Sequence, residues 1–207
     1  MPRLWDISPT VSSEAPIFPG DEPYSLRWTA RLSPDCPVNL SAITMSSHVG
    51  AHADAPLHYG NDEPSAAEVD LNAYLGPCRV IHAIDCGPLI RIEHLHHAAA
   101  NLPPRVLVRC CKQADTAWNP DFTAYAPETV AWLAAQGVQL IGLDTPSVDP
   151  ASSKLLPSHQ QLLRLKLRVL ENLVLDEVPE GDYELIALPL KLAGACASPV
   201  RAVLREL

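Results

Sequence analysis

The chain has 207 residues, of which 47% are hydrophobic and 19% are charged, and its formal net charge at pH 7 is −9. This composition is typical of a globular protein with a full hydrophobic core, and we expect a single domain over residues 1–207. The negative charge argues against nucleic acid or an anionic membrane as a partner. The longest mostly apolar run, residues 130–143, contains Gln136, Gly137 and Gln139 and is too short to span a bilayer.

The start of the chain and its cysteines both indicate a reducing compartment. Residues 1–6 lack the apolar stretch of a secretory signal. The six cysteines are scattered, and no two have the C-x-x-C spacing of a zinc finger. We therefore expect free thiols and a cytoplasmic protein.

The predicted secondary-structure elements are short, and 21 prolines separate them. β-Branched, alternating segments predict strands at residues 79–85, 105–110, 138–144 and 184–190. A helix is expected from Pro127 to a stop at Gly137, and a second over residues 92–100. Strands with intervening helices predict an α/β fold that is rich in strands and has few helices. Neither a G-x-G-x-x-G nor a P-loop motif supports nucleotide binding.

The segment from His48 to His58 has the strongest chemical signal, because His48, His52, Asp54 and His58 all occupy even positions. Alternate residues of an extended strand share a face, so these side chains would point the same way. The extended distance from His48 to His52 is roughly 13 Å, too long for one ion, so we expect a bend at Gly50. Imidazoles with a carboxylate form a typical catalytic metal set, and we favour this over a polar loop.

Four other histidines are poorer candidates. His94, His96 and His97 fall on a predicted surface helix, where solvated side chains are the simpler interpretation. His82 alternates within a strand, which is typical of a histidine with an ordinary structural hydrogen bond.

Residues 48–58 resemble the H-x-G-[TA]-H-x-D-x-P-x-H signature of the cyclase-type metal-dependent hydrolase family. Blocks elsewhere are similar to the formamidase members of that family: residues 5–8, 18–21, 142–149 and 180–190. The resemblance implies a cyclase-like swivelling β/β/α fold. The family commonly has Thr at the position that Ala51 occupies here. The alanine would lack a hydrogen bond near the metals, but no metal ligand would be lost.

The resemblance also implies a two-metal site, usually zinc, with manganese and cobalt also compatible with the donor set. His48, His52 and Asp54 would hold one ion, and Asp54 would bridge to a second ion held by His159 and Glu171. His58 would be the acid–base residue. Phe18 would form an aromatic wall for the substrate, and the protein would be a homodimer.

His159 and Glu171 test this assignment. On one helix they would lie roughly 18 Å apart and about 120° around the axis, so they could not share an ion. Ser158 and Gln161 have capping-box spacing for a helix starting at His159, whereas residues 163–169 alternate like a strand. We expect a reversal near residues 164–168, although leucines at 163, 167 and 170 also fit one amphipathic helix.

The activity implied by the resemblance is hydrolysis of N-formyl-L-kynurenine to L-kynurenine and formate. Two alternatives remain: an isatin-type cyclic amide hydrolase of the same family, and a non-catalytic module that binds a metal or ligand. The absence of a G-x-S-x-G motif argues against a serine hydrolase. For Asp144 and Asp149 we expect capping and turn roles at a strand exit.

Overall fold

The computed structural model describes residues 2–207 and contains thirteen strands and three short α-helices. The strands are β1 (Leu4–Asp6), β2 (Ser25–Ala30), β3 (Leu40–Thr44), β4 (His52–Asp54), β5 (Leu75–His82), β6 (Leu89–Ile90), β7 (Arg105–Arg109), β8 (Ala124–Tyr125), β9 (Leu140–Leu143), β10 (Arg168–Glu171), β11 (Gly181–Ile186), β12 (Ala197–Pro199) and β13 (Val203–Glu206). The helices are α1 (Ile92–Leu95), α2 (Pro127–Ala135) and α3 (Pro157–Leu165). This is the strand-rich α/β fold that the sequence predicts.

Nine strands form one mixed sheet in the order β1-β13-β11-β5-β7-β9-β10-β4-β12. The pairs among β5, β7, β9 and β10 are parallel, and the remaining pairs are antiparallel. The parallel strands need crossovers, and α2 lies in the connection that leads to β9. The order places β4 between β10 and β12, although β4 comes early in the chain.

Side chains on the two faces of the parallel strands pack into two hydrophobic clusters. Val80 and Leu107 belong to one cluster, whereas their neighbours Ile81 and Val108 belong to the other. This alternation follows from the two-residue repeat of a strand. The second cluster also contains buried residues of α2 and α3, so these helices cover that face of the sheet.

Some element boundaries differ from those that the sequence predicts. The strand expected at 184–190 is β11, which ends at Ile186, and Pro189 lies beyond it because it cannot donate a ladder hydrogen bond. The helix expected over 92–100 is only α1, followed by a 3-10 turn at His96–Ala98. His94, His96 and His97 are partly or fully exposed there, as expected, and Nε2 of His82 is 2.9 Å from the carbonyl oxygen of Val178.

Strands β2 and β3 pair only with each other and form an exposed hairpin. The hairpin carries several exposed large apolar side chains: Leu26, Trp28, Leu32, Val38, Leu40 and Ile43. A two-stranded hairpin is marginally stable on its own. So many exposed apolar side chains are also unusual for a surface that faces only water. Among the described residues, 2–207, no helix has the length and apolar character needed to cross a bilayer.

Candidate metal centre

The segment from His48 to His58 combines a turn, a short strand and a 3-10 turn. Gly50 has φ +69°, and a Cβ atom there would lie 2.6 Å from Cγ2 of Val11, so the backbone needs glycine at this bend. Strand β4 then carries His52 and Asp54, and Pro56 begins the 3-10 turn that ends at His58. The bend predicted at Gly50 is confirmed, but only three residues of the segment are a strand.

The chain reverses between α3 and β10. Helix α3 ends at Leu165, and Lys166 has φ 57°, a left-handed conformation that is typical of helix C-termini. Strand β10 follows and ends at Glu171. The predicted break between His159 and Glu171 is therefore confirmed, and the single-helix alternative is wrong.

The predicted capping box at Ser158 is wrong. Helix α3 begins at Pro157, and its N-cap, Leu156, provides no side-chain hydrogen bond. The carboxylate of Asp149 caps the helix instead, because its oxygens accept the backbone N–H groups of Ser158 and His159 at 3.0 and 2.9 Å. A cap from outside the helix is not visible in local spacing.

The two segments bring the predicted residues together around Asp54. Oδ1 of Asp54 lies 3.0 Å from Nδ1 of His48 and 3.5 Å from Nε2 of His52. Oδ2 of Asp54 lies 3.5 Å from Nε2 of His159. Glu171 places Oε2 3.2 Å from Nε2 of His52 and Oε1 3.8 Å from Nε2 of His159. We call these five residues the inner set: His48, His52, Asp54, His159 and Glu171.

Several polar atoms of the inner set are buried without hydrogen bonds. His52 and Asp54 are each 1% exposed, and Nε2 of His52 and both carboxylate oxygens of Asp54 have no hydrogen-bond partner within residues 2–207. A buried carboxylate without hydrogen bonds is costly unless a cation compensates for its charge. His48, His52 and Asp54 offer three ligand atoms within 4.8 Å of one another. The residues present therefore fit a metal ion.

Hydrogen bonds at the far ring nitrogens orient two of these histidines. Nδ1 of His52 lies 3.0 Å from the carbonyl oxygen of Gly50, and a proton there leaves the Nε2 lone pair directed at the carboxylates. Nδ1 of His159 lies 2.8 Å from Oδ2 of Asp149, which has the same effect. Such carbonyl–histidine and carboxylate–histidine pairs are typical of metal-binding imidazoles.

The carboxylates make the site attractive to positive charge. Burial lowers the pKa of His48, but the carboxylate of Asp54 outweighs this effect, and the pKa rises to about 9. In His159 the carboxylates of Asp149 and Asp54 likewise outweigh burial and raise the pKa to about 10. Burial would raise the pKa of Asp54, but the close imidazoles of His159 and His48 hold it well below its usual range. The field at the site thus favours cations.

His58 lies beside the inner set at the edge of the centre. Its Nε2 is 3.9 Å from Oδ2 of Asp54, and 34% of its side chain is exposed. Burial lowers the pKa of His58, although Asp54 acts in the opposite direction. His58 is therefore more often neutral at pH 7 than an ordinary histidine, and it is open to solvent or a substrate.

A cavity of about 830 Å³ leads to the inner set, a volume within the range for small-molecule sites. Phe18 lines it and is 49% exposed. The Phe18 ring makes an edge contact with Trp118, with 5.1 Å between centroids. The wall that the sequence assigns to Phe18 alone thus contains two aromatic rings.

Sequence reasoning missed three residues of the site: Trp118, Asp149 as the partner of His159, and Cys196. Trp118 and Cys196 line the cavity, and Sγ of Cys196 is 3.4 Å from Nε2 of His48. Asp144 has a backbone role, since it accepts the N–H groups of Cys110 and Cys111 at 2.8 and 3.1 Å. Trp118 and Cys196 belong to no spaced motif, and the block at 142–149 that contains Asp149 carries no spacing that links Asp149 to His159, so local sequence offered no signal for these contacts.

The chain belongs to the cyclase family, because the family model described as "Putative cyclase" matches residues 5–150. Within this family the chain is similar to the kynurenine formamidase of Bordetella petrii. The two are 66% identical over 208 residues, which cover 100% of each chain.

Solved structures share the fold at lower identity. A protein described as a potential metal-dependent hydrolase with cyclase activity superposes with a TM-score of 0.86 at 24% identity, covering 100% of this chain and 99% of the other. Isatin hydrolase A of Labrenzia aggregata has a TM-score of 0.86 at 22% identity, with 99% and 94% coverage. These likenesses establish the cyclase-like architecture.

Proposed function

We propose that this chain is a metal-dependent kynurenine formamidase, which hydrolyses N-formyl-L-kynurenine to L-kynurenine and formate. The observation that carries the proposal is the cluster of buried, unpartnered ligand atoms on His52 and Asp54 at the end of a substrate-sized cavity. The high identity to a kynurenine formamidase over the full chain supports the choice of substrate.

The proposal assigns zinc to the inner set, with two ions per chain. His48, His52 and Asp54 would hold one ion, and Asp54, His159 and Glu171 the other. When bound, zinc polarises a carbonyl oxygen and lowers the pKa of water to about 7. Asp149 and the carbonyl of Gly50 would keep the ligating nitrogens of His159 and His52 turned towards the ions.

His58 is the acid–base residue in this proposal. Its Nε2 faces Asp54 from the cavity side, and its lowered pKa leaves it neutral and able to accept a proton near pH 7. It would take a proton at Nε2 from the attacking water and return it to the departing aniline nitrogen. A module that only binds metal needs no such group beside a complete ligand set.

The aromatic pair of Phe18 and Trp118 would bind the aryl ring of the substrate. Both rings line the cavity that ends at the inner set, so an aryl group between them would direct its formamide at the ligands. This arrangement also accepts a bicyclic ring such as isatin. The linear formamide is preferred because the 66% identical relative is a formamidase, whereas isatin hydrolase shares only the fold.

The assembly and location are parts of the same proposal. A homodimer would cover the exposed apolar side chains of the β2–β3 hairpin, among them Trp28 and Ile43. The six cysteines form no disulfide among residues 2–207, which supports a reducing cytoplasm. One domain over residues 1–207 remains our interpretation of the domain organisation.

A combined metal and turnover experiment tests the proposal. Purified protein should contain about two divalent ions per chain, lose activity on chelation, and regain it with zinc or manganese. It should hydrolyse N-formyl-L-kynurenine faster than isatin. Full turnover by metal-free protein would contradict the metal assignment, and faster turnover of isatin would favour the cyclic-amide hydrolase.

A further inference from the structure

Cys196 adds a sulfur donor beside the inner set. Its Sγ lies 3.4 Å from Nε2 of His48. Ligand atoms of His48, His58 and Cys196 all lie within 4.8 Å of one another. We call these three residues the outer set. It shares His48 with the inner set but contains no carboxylate.

The spacing of the outer set fits a shared metal ion. Zinc bonds of about 2.1 Å to nitrogen and about 2.3 Å to sulfur, at a tetrahedral angle, separate the two donor atoms by about 3.6 Å. The observed 3.4 Å between His48 and Cys196 is close to that value. Nδ1 of His48 faces Asp54, so His48 can serve the inner set through Nδ1 and the outer set through Nε2.

The backbone fixes Cys196 at the cavity wall. Its carbonyl oxygen accepts the N–H of Ala55 at 2.9 Å, and the next residue, Ala197, pairs with Asp54 across β12 and β4. Cys196 lines the same cavity as His48 and His58. An ion that enters the cavity therefore reaches the thiol and both imidazoles without a rearrangement of the sheet.

The two sets differ in the cations that they favour. Two carboxylates in the inner set suit zinc and manganese, whereas a thiolate with two imidazoles favours thiophilic ions such as Cd²⁺. Mn²⁺ binds thiolate weakly and should remain with the inner set. Metal choice thus separates the two sets experimentally.

We propose that His48, His58 and Cys196 form a binding site for thiophilic divalent cations in the wall of the cavity. An ion there binds the second ring nitrogen of His48 and ligates His58, the acid–base residue of the proposed function. The bound ion would therefore inhibit the enzyme. Inhibition rests on the proposed formamidase function, but binding at Cys196 does not.

The test adds CdCl₂ to the manganese-loaded protein and records the near-ultraviolet thiolate-to-cadmium absorption. We expect the band in the wild type, its loss in both Cys196→Ser and Cys196→Ala, and its retention in Cys111→Ser, a control at another partly buried thiol. Retention of the band in both Cys196 variants, or its absence from the wild type at saturating cadmium, would overturn the proposal. The ¹¹³Cd nuclear magnetic resonance shift of the wild type reports sulfur ligation without any substitution.

Activity measurements distinguish this inference from the proposed function. Each variant is compared with its own manganese-supported rate on N-formyl-L-kynurenine. Cadmium should inhibit the wild type at a concentration at least tenfold lower than it inhibits Cys196→Ser. A cadmium band without any manganese-supported turnover would contradict the formamidase function and leave the cation site standing. Turnover without a Cys196-dependent band would support the formamidase function and overturn the cation site.

Discussion

Glu171 lies directly opposite His52 across the antiparallel pair of β10 and β4, and Oε2 of Glu171 is 3.2 Å from Nε2 of His52. The register of two strands thus sets the spacing between two proposed ligands that are distant in the chain. A shift of one residue would turn Glu171 to the other face of the sheet and remove it from the site. The strand register is therefore part of the proposed metal centre.

Replacement of Glu171 by Gln should weaken the binding of one ion more than that of the other. His48, His52 and Asp54 remain as a set of three donors, so the protein should retain about one of two ions per chain. Metal analysis after dialysis measures the change. Glu128→Gln is a matched control, because Glu128 is exposed and pairs with Arg91 far from the site. Retention of both ions with unchanged affinity would remove Glu171 from the ligand set.

His58→Ala and Asp54→Ala should both lose activity but differ in metal content. Because His58 lies beside the ligands, His58→Ala should keep its ions while kcat falls by about 10² to 10⁴. Asp54 lies close to all three histidines of the inner set, so Asp54→Ala should empty the site. Metal stoichiometry separates the two roles. Loss of metal from His58→Ala would make His58 a ligand, and full activity would assign proton transfer to another group.

Asp149→Asn should lower metal affinity without removing a ligand. Asp149 holds Nδ1 of His159 at 2.8 Å and caps α3 through two backbone N–H groups. An amide offers one acceptor oxygen in place of two, so His159 loses its fixed orientation, and affinity should fall by about 10- to 100-fold. A competitive chelator titration measures the change, with Asp121→Asn as an exposed control. Unchanged affinity would show that Asp149 only caps the helix.

Phe18→Ala and Trp118→Ala should raise KM with smaller effects on kcat. Each variant loses one ring of the aromatic pair, which corresponds to about a three- to tenfold increase in KM. Steady-state kinetics on N-formyl-L-kynurenine measures the effects on KM and kcat separately. Trp132→Ala is the control, since Trp132 lies on α2, contacts His96 and does not line the cavity. Equal KM values in all three variants would exclude the pair as a substrate wall.

Asp182→Asn should destabilise the fold more at pH 7 than in acid. Asp182 pairs with Arg79 across β11 and β5, and hydrogen bonds from Arg79 lower the pKa of Asp182 below its usual value. A lowered folded-state pKa contributes stability above the unfolded pKa of about 3.9, and this contribution is lost as pH falls through the folded pKa. Urea unfolding at pH 7 and pH 3 should show a difference from wild type that shrinks in acid. A constant difference would mean that the lost contribution is not electrostatic.

Much of the inner set could be predicted because its signals are local. The even spacing of His48, His52, Asp54 and His58, with glycine at the bend, limits the segment to a compact arrangement. The change from helical to alternating periodicity predicted the reversal that the structure has at Lys166. Neither prediction required knowledge of the strand order.

The remaining features depend on contacts between segments that no local pattern links. Asp149 reaches α3 from a loop, and Cys196 reaches His48 only because β12 pairs with β4. Trp118 lies in a loop without secondary structure, so no periodicity in the sequence indicates its contact with Phe18. Such positions follow from sheet order and loop packing, which composition and spacing leave open.

The position of β4 between β10 and β12 also constrains how the site assembles during synthesis. The strand that carries His52 and Asp54 is made early, but its neighbours on both sides are made much later, ending with Ala197–Pro199. A ribosome-bound chain that stops before Glu171 holds His48, His52 and Asp54 without the strand that positions them. Stable metal loading should therefore follow nearly complete translation, and nascent chains halted before β10 should not retain zinc.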